Sequence, residues 1–196
     1  MGVLVKGFGA VVLGACVASA VAQQRYSVSY SAPTGDGVAQ GLPYDLTDQT
    51  GRQLQDRIPG ADQWRANLGQ GAAYEWVGWR NAEPAIEFRF APATRIDRIR
   101  IGFARNESSR IYVPPVIILN WVFYNINPAL VAPNSRGFIT VLGRWETETL
   151  RLQLVDGNTQ RWILVDEIEF YSVPEPASVL LLPAAALLVM RRRRVS

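Results

Sequence analysis

The chain has 196 residues, of which 48% are hydrophobic and 19% charged. That is room for one domain with targeting segments and apolar surface enough for a core, which excludes wholesale disorder. The formal net charge of +3 does not indicate nucleic acid, because residues 23–176 hold 15 Arg against 17 Asp and Glu, a balance of −2. Such a near-neutral domain has no basic stripe to neutralise phosphates. There is no His, the one Cys is Cys16 and the one Lys is Lys6. The middle of the chain therefore has no thiol nucleophile, disulfide, Schiff-base lysine or metal site built on His and Cys.

In chain order, Met1 to Ala22 carries one cation, an apolar run from Phe8 to Val17 and then small residues. This is the layout of a secretion signal, with cleavage by signal peptidase expected after Ala22. Leu13-Gly14-Ala15-Cys16 leaves open a lipobox with a lipid on Cys16.

From Tyr26 to Tyr171 the pattern has period two, the signature of strands. Strands are expected at Tyr26–Ser31 and Tyr74–Trp79. Ile86, Phe88 and Phe90 alternate with Glu87 and Arg89, and Ile99, Ile101 and Phe103 with Arg98, Arg100 and Gly102. Val116 to Tyr124 is apolar on both faces, which predicts a central strand. Phe138–Leu142, Leu150–Leu154, Gln160–Val165 and Ile168–Phe170 follow, with Glu167 and Glu169 expected on a charged face turned to water. Pro114-Pro115, Asn127-Pro128 and Asp156-Gly157-Asn158 separate them. About eight or nine such strands without a repeat predict an all-β fold, an antiparallel β-sandwich of jelly-roll type over residues 23–172. An immunoglobulin-like sandwich is the alternative.

Residues 173–196 close the chain. Pro174-Glu175-Pro176 precedes 14 apolar or small positions at 177–190, interrupted by Pro183 and ended by Arg191, Arg192, Arg193 and Arg194. The apolar run is short of the ~20 residues that cross a bilayer comfortably, and the Arg run holds its end in the cytoplasm. The order of motif, apolar segment and basic stop resembles the PEP-CTERM sorting signal of Gram-negative bacteria. That resemblance implies export, an inner-membrane tether through the C-terminal segment, and processing by an exosortase-type protease. The product would then reside on the cell surface or in the extracellular matrix. A signal helix and an apolar helix are thus expected to flank the sandwich.

Leu46-Thr47-Asp48, Trp76 to Trp79, Ile86-Glu87-Phe88, Ile96 to Ile101 and Trp162 to Tyr171 follow one another in an order that resembles the galactose-binding-like domain, of discoidin or coagulation-factor type C. The resemblance implies carbohydrate binding and a structural calcium, with Asp48 matching a loop Asp and Glu167 a strand Glu; no other cofactor is expected. The alternative is that Asp48 caps a turn and Glu167 sits on the solvated face. Sugar rings stack on exposed aromatic faces, and Trp64 and Trp145 are the Trp residues expected on loops. Trp121 and Trp162 are expected in the core, as is at least one of Trp76 and Trp79. In the polar run Arg105-Asn106-Glu107-Ser108-Ser109, Arg105 and Asn106 are expected to donate to a hydroxylated ligand. The expected function is a non-catalytic module for polysaccharide, or else a structural or adhesive envelope protein. A further alternative is a carboxylate-based glycosidase, which needs two acids ~5–9.5 Å apart across a cleft. Glu146 with Glu148, and Glu167 with Glu169, have the i, i+2 spacing that puts both on one strand face within that range, as pairs on solvated strands commonly do.

Overall fold

The computed structural model describes residues 24–36, 45–65, 75–80, 82–158 and 160–172. The secretion signal, the Cys16 lipobox, and the sorting segment with Pro174, Glu175, Pro176 and Arg191 to Arg194 lie outside the described residues, as do the two flanking helices. Among the described residues no helix is long and apolar enough to cross a membrane.

Eight strands are present among the described residues: β1 (Gln24–Tyr26), β2 (Ser29–Ser31), β3 (Val77–Arg80), β4 (Ala85–Arg105), β5 (Val116–Leu119), β6 (Val122–Asn125), β7 (Ser135–Val155) and β8 (Trp162–Ser172). All pair antiparallel. Two short 3₁₀ turns join them, at Glu107–Ser109 and Pro128–Leu130. The expected all-β sandwich is the observed fold.

Its two layers share two strands. β4 and β7 run 21 residues each and pair from Ala85↔Gln153 to Arg105↔Ser135, with register breaks between Arg89 and Thr94 and between Ile96 and Arg98. Such irregularities bend a strand, and Pro92, which has no N–H to give the ladder, sits in the first of them. Before the bend, β4 pairs with β2, and the partnering end of β7 pairs with β5, which carries β6 at the edge. Beyond the bend, β4 pairs with β8, whose ends carry β1 and β3. The halves close face to face: Phe88 of the first layer meets Phe170 of the second edge-on, ring centroids 4.7 Å apart, and Phe90 meets the same ring at 5.3 Å. Ile86, Ile101, Phe103, Leu150, Leu152 and Ile168 fill the space around them, each buried side chain contributing about 1.5–3 kcal/mol. Four of the expected strands are therefore halves of two long ones, joined because the alternation resumes after each break.

β8 is buried on both sides. Ile163, Val165, Ile168 and Phe170 face the main core, and Leu164 faces a second cluster with Leu46, Trp64, Trp76, Ala104 and Ile111. Between Val165↔Phe103 and Ile168↔Ile101 two residues of β8, Asp166 and Glu167, oppose the single Gly102. This bulge carries both carboxylates outward, but not to water. Glu167 is 2% exposed and Asp166 fully buried, so the expectation of a solvated Glu167 and Glu169 is corrected. The segment around Leu54 to Gly60 lies over the bulge and bonds to it: Leu54 C=O accepts from Ile168 N–H at 2.9 Å, and Gly60 N–H donates to Asp166 Oδ2 at 2.8 Å. Alternation reports the two faces of a strand but not what a distant loop lays on the outer one.

A second correction concerns Val116 to Tyr124. It is a hairpin at the sheet edge, β5 and β6 joined by Asn120-Trp121 with φ of 45° and 72°. Trp121, expected in the core, is 74% exposed, and Phe123 is 71% exposed. Trp76 and Trp79 are both buried, and Trp162 is half-buried against the second cluster.

Candidate functional site

At the end of β4 the chain makes a compact polar corner. Asn106 caps the 3₁₀ turn: its Oδ1 accepts from Ser109 N–H at 2.9 Å and from the Ser108 hydroxyl at 2.8 Å, the usual use of Asn at such a position. Arg110 closes the turn in the left-handed region, and Ile111 returns to pair with Asn106. From the other side come the Asp62 to Arg65 loop and Asn134, the residue just before β7. Arg65 lies across the gap, its Nη2 donating to Ser109 Oγ at 3.2 Å. The result is a pocket of about 370 Å³ lined by Gln63, Trp64, Arg65, Asn106, Ser108, Ser109 and Asn134. The Oδ1 of Asn106 is committed to the turn, and among the described residues its amide N–H groups, the remaining donors of Arg65 and the amides of Gln63 and Asn134 make no hydrogen bond. The pocket is rich in donors.

The expected site residues meet different fates here. Trp64 and Asn106 do come together. Trp64, however, is 4% exposed, packed in the second cluster with the Arg65 guanidinium 4.9 Å above its ring. It is the floor of the pocket and offers no face for stacking. Arg105 is the last residue of β4 rather than a loop residue, and its guanidinium is spent. It donates to Glu107 Oε1 at 2.5 and 3.1 Å, to Val131 C=O at 3.0 Å and to Pro128 C=O at 3.4 Å, tying the corner to the second 3₁₀ turn. Trp145 is on strand β7, opposite Ile96, with its ring edge-on to Tyr124 at 6.3 Å. It seals the rim of the core far along β4 from Asn106. Asn134 was not legible as a site residue, since only the pairing of Arg105 with Ser135 brings its turn beside Asn106.

No family model matches the sequence, and no curated protein sequence is similar to it. Solved structures are similar in shape. The solved structures include carbohydrate-binding modules. One of the similar solved structures is a chain of the Streptococcus pneumoniae β-galactosidase BgaA, at TM-score 0.49 and 11% identity, covering 76% of this chain and 98% of that one. Another is the family 32 carbohydrate-binding module of C. perfringens NanJ, solved with galactose, at TM-score 0.46 and 10% identity, covering 77% of this chain and 100% of that one. A third is the corresponding module of AlyQ, solved with 4,5-unsaturated mannuronic acid, at TM-score 0.42 and 11% identity, covering 75% and 97%.

The residues implied for calcium do not fit a cation. Asp48 accepts the Tyr30 hydroxyl on Oδ2 and Gln53 N–H, at 3.4 Å, on Oδ1. Burial, with the Asp48 carboxylate beside it, pushes the Tyr30 phenol up. Glu167 accepts Arg57 N–H on one oxygen and Arg25 Nη2, at 2.5 Å, on the other. Arg25 also reaches Glu169 at 3.1 Å, and Arg100 reaches Glu169 at 3.0 Å. Arginine thus supplies the positive charge at this bulge. Among the described residues no three His, Cys, Asp or Glu side chains are grouped to hold a metal ion. Burial pushes the Glu167 carboxyl up to about 7, against the pull of Arg25, and raises Asp166 as well despite Arg136.

Proposed function

We propose that this protein is an exported, non-catalytic carbohydrate-binding module, and that its ligand is a hydroxyl-rich sugar held in the pocket between Arg65, Asn106 and Asn134. The observation that carries the reading is the pocket itself: about 370 Å³ framed by polar side chains from three separate segments, with donor groups that make no hydrogen bond among the described residues. A few placed polar groups in a concavity are what fix a small ligand's orientation. The acid pairs do not suit hydrolysis. Glu167 and Glu169 are held by Arg25 and Arg100 away from any cleft, and Glu146 and Glu148 stand exposed along β7.

A neutral-glycan array probed with the full chain tests this. Binding is expected to at least one hexose-containing oligosaccharide and to fall about tenfold in Arg65→Ala or Asn134→Ala, the loss of one or two hydrogen bonds to the ligand. Binding untouched by both substitutions, or none to any neutral glycan, refutes the pocket reading. The same reading places the chain in the inner membrane through residues 177–190 until signal peptidase and an exosortase-type protease have acted. Replacing Pro174-Glu175-Pro176 by alanines is then expected to leave the protein in the membrane fraction, and release at the normal rate would contradict it.

A further inference from the structure

The exposed hairpin belongs to a second surface. On the outer face of the first layer the registers set out two rows across the strands. One runs Phe123, Ile118, Gln153, Ala85, and the other runs Arg151, Glu87, Ser31, with Trp121 at its hairpin end. Neighbouring strands lie about 4.8 Å apart, so the first row spans ~14 Å, and the rows are ~7 Å from one another. Between them and the Ser31 to Pro33 segment is a groove of about 360 Å³ whose lining includes Ser31, Pro33, Ala85, Ile86, Glu87 and Arg151. It is open to solvent, and Arg151 joins it to the hairpin, where Trp121 and Phe123 lie beyond its lining.

Three features of this face are not accounted for by packing in the core among the described residues. Trp121 and Phe123 expose most of their rings. Trp121 also occupies the second central position of a two-residue turn at φ 72°, where glycine is the favoured residue and a side chain is strained. Arg151 lies over one face of Trp121 at 4.6 Å, leaving the other face open. Among the described residues its guanidinium makes no hydrogen bond or ion pair, whereas Glu87 already holds Arg89 at 3.1 Å. With Glu87 paired to Arg89, the charge left unbalanced in the groove is that of Arg151, which is positive. The ligand it fits has apolar ring faces for the two aromatics and a carboxylate for the guanidinium.

The geometry points to a second glycan site on this sheet face, one that takes an extended acidic polysaccharide, with pyranose rings on Trp121 and Phe123 and a uronate carboxylate on Arg151. It is separate from the pocket at Asn106 and does not depend on it.

The test is an array of uronate-containing oligosaccharides (alginate, pectate and hyaluronan fragments), each printed beside its carboxyl-reduced form and probed with the full chain. Binding to at least one acidic form is expected, about tenfold weaker to its reduced form and in Arg151→Gln, and weakened by salt. Trp121→Gly is expected to lose this binding while its melting temperature holds or rises, which separates a ligand contact from a structural one. Arg65→Ala is expected to leave the acidic binding unchanged, so the two sites succeed or fail independently. No acidic glycan bound, equal binding to the reduced forms, or full binding by Trp121→Gly overturns the proposal. If acidic binding disappears only in Arg65→Ala, the pocket is the sole site.

Discussion

The charge of Glu167 offers a sharp perturbation of this fold. Its carboxyl ordinarily titrates at 4.5 and burial raises it to about 7 in the folded chain. The folded state therefore binds the proton more tightly than the unfolded one. Stability from this group is fully present below the unfolded value and is lost as pH rises through 7. The window is set by those two values, 4.5 and about 7. At 1.36 kcal/mol per unit the loss across it amounts to about 3 kcal/mol. Glu167→Gln keeps an oxygen for Arg57 N–H and cannot ionise. Urea unfolding of the full chain is expected to show the variant about as stable as the parent near pH 4 and more stable by about 3 kcal/mol near pH 8. The chain has no His to titrate in that interval, and the shifts of Asp166 and Glu75, also upward through burial, are common to both proteins and cancel in the difference. Parallel pH profiles refute the reasoning. A variant destabilised near pH 8 would show that Arg25 outweighs burial and that Glu167 is held ionised.

Other consequences follow from single contacts. Gly102→Ala would place a Cβ 1.9 Å from Asp166 Oδ1, displacing a buried carboxylate from Arg136 and Gly60. A loss of about 3–5 kcal/mol is expected in urea titration, and a loss under 1 kcal/mol would show that the bulge can yield. Phe88→Ala removes the ring that bridges the layers to Phe170 and packs beside Tyr30 of its own layer, for about 3–5 kcal/mol. An unchanged denaturation midpoint would contradict the two-layer closure. Asp45, whose carboxyl is held below its usual value by hydrogen bonds from the Thr47 side chain and backbone, works in the opposite direction from Glu167. Thr47→Ala is expected to raise its pKa, as read by NMR titration of the carboxyl carbon, and an unmoved midpoint would remove those bonds as the cause.

The strand assignments were legible because burial on one face of a sheet writes itself as period two. Ile86 to Phe90, Ile99 to Phe103 and Leu150 to Leu154 are all strand, with their apolar positions inside. Composition alone also determined what chemistry the chain lacks, since a residue type that is absent can enter no site. Val116 to Tyr124 misled for a physical reason: a run apolar on both faces reads as a buried central strand, and only the edge position of β6 exposes Trp121 and Phe123. Trp64 misled in the reverse sense, its polar neighbours suggesting an exposed loop while Leu46, Trp76 and Leu164 enclose its ring. The sites depend on pairings between residues far apart in the chain. Asn134 reaches Asn106 because β7 returns along β4, Arg151 reaches Trp121 because β5 lies beside β7, and Glu167 is buried because the Leu54 segment crosses a bulge. Local patterning thus determined which face each strand buries. Long-range register, which no short stretch of sequence encodes, decided what stands beside what.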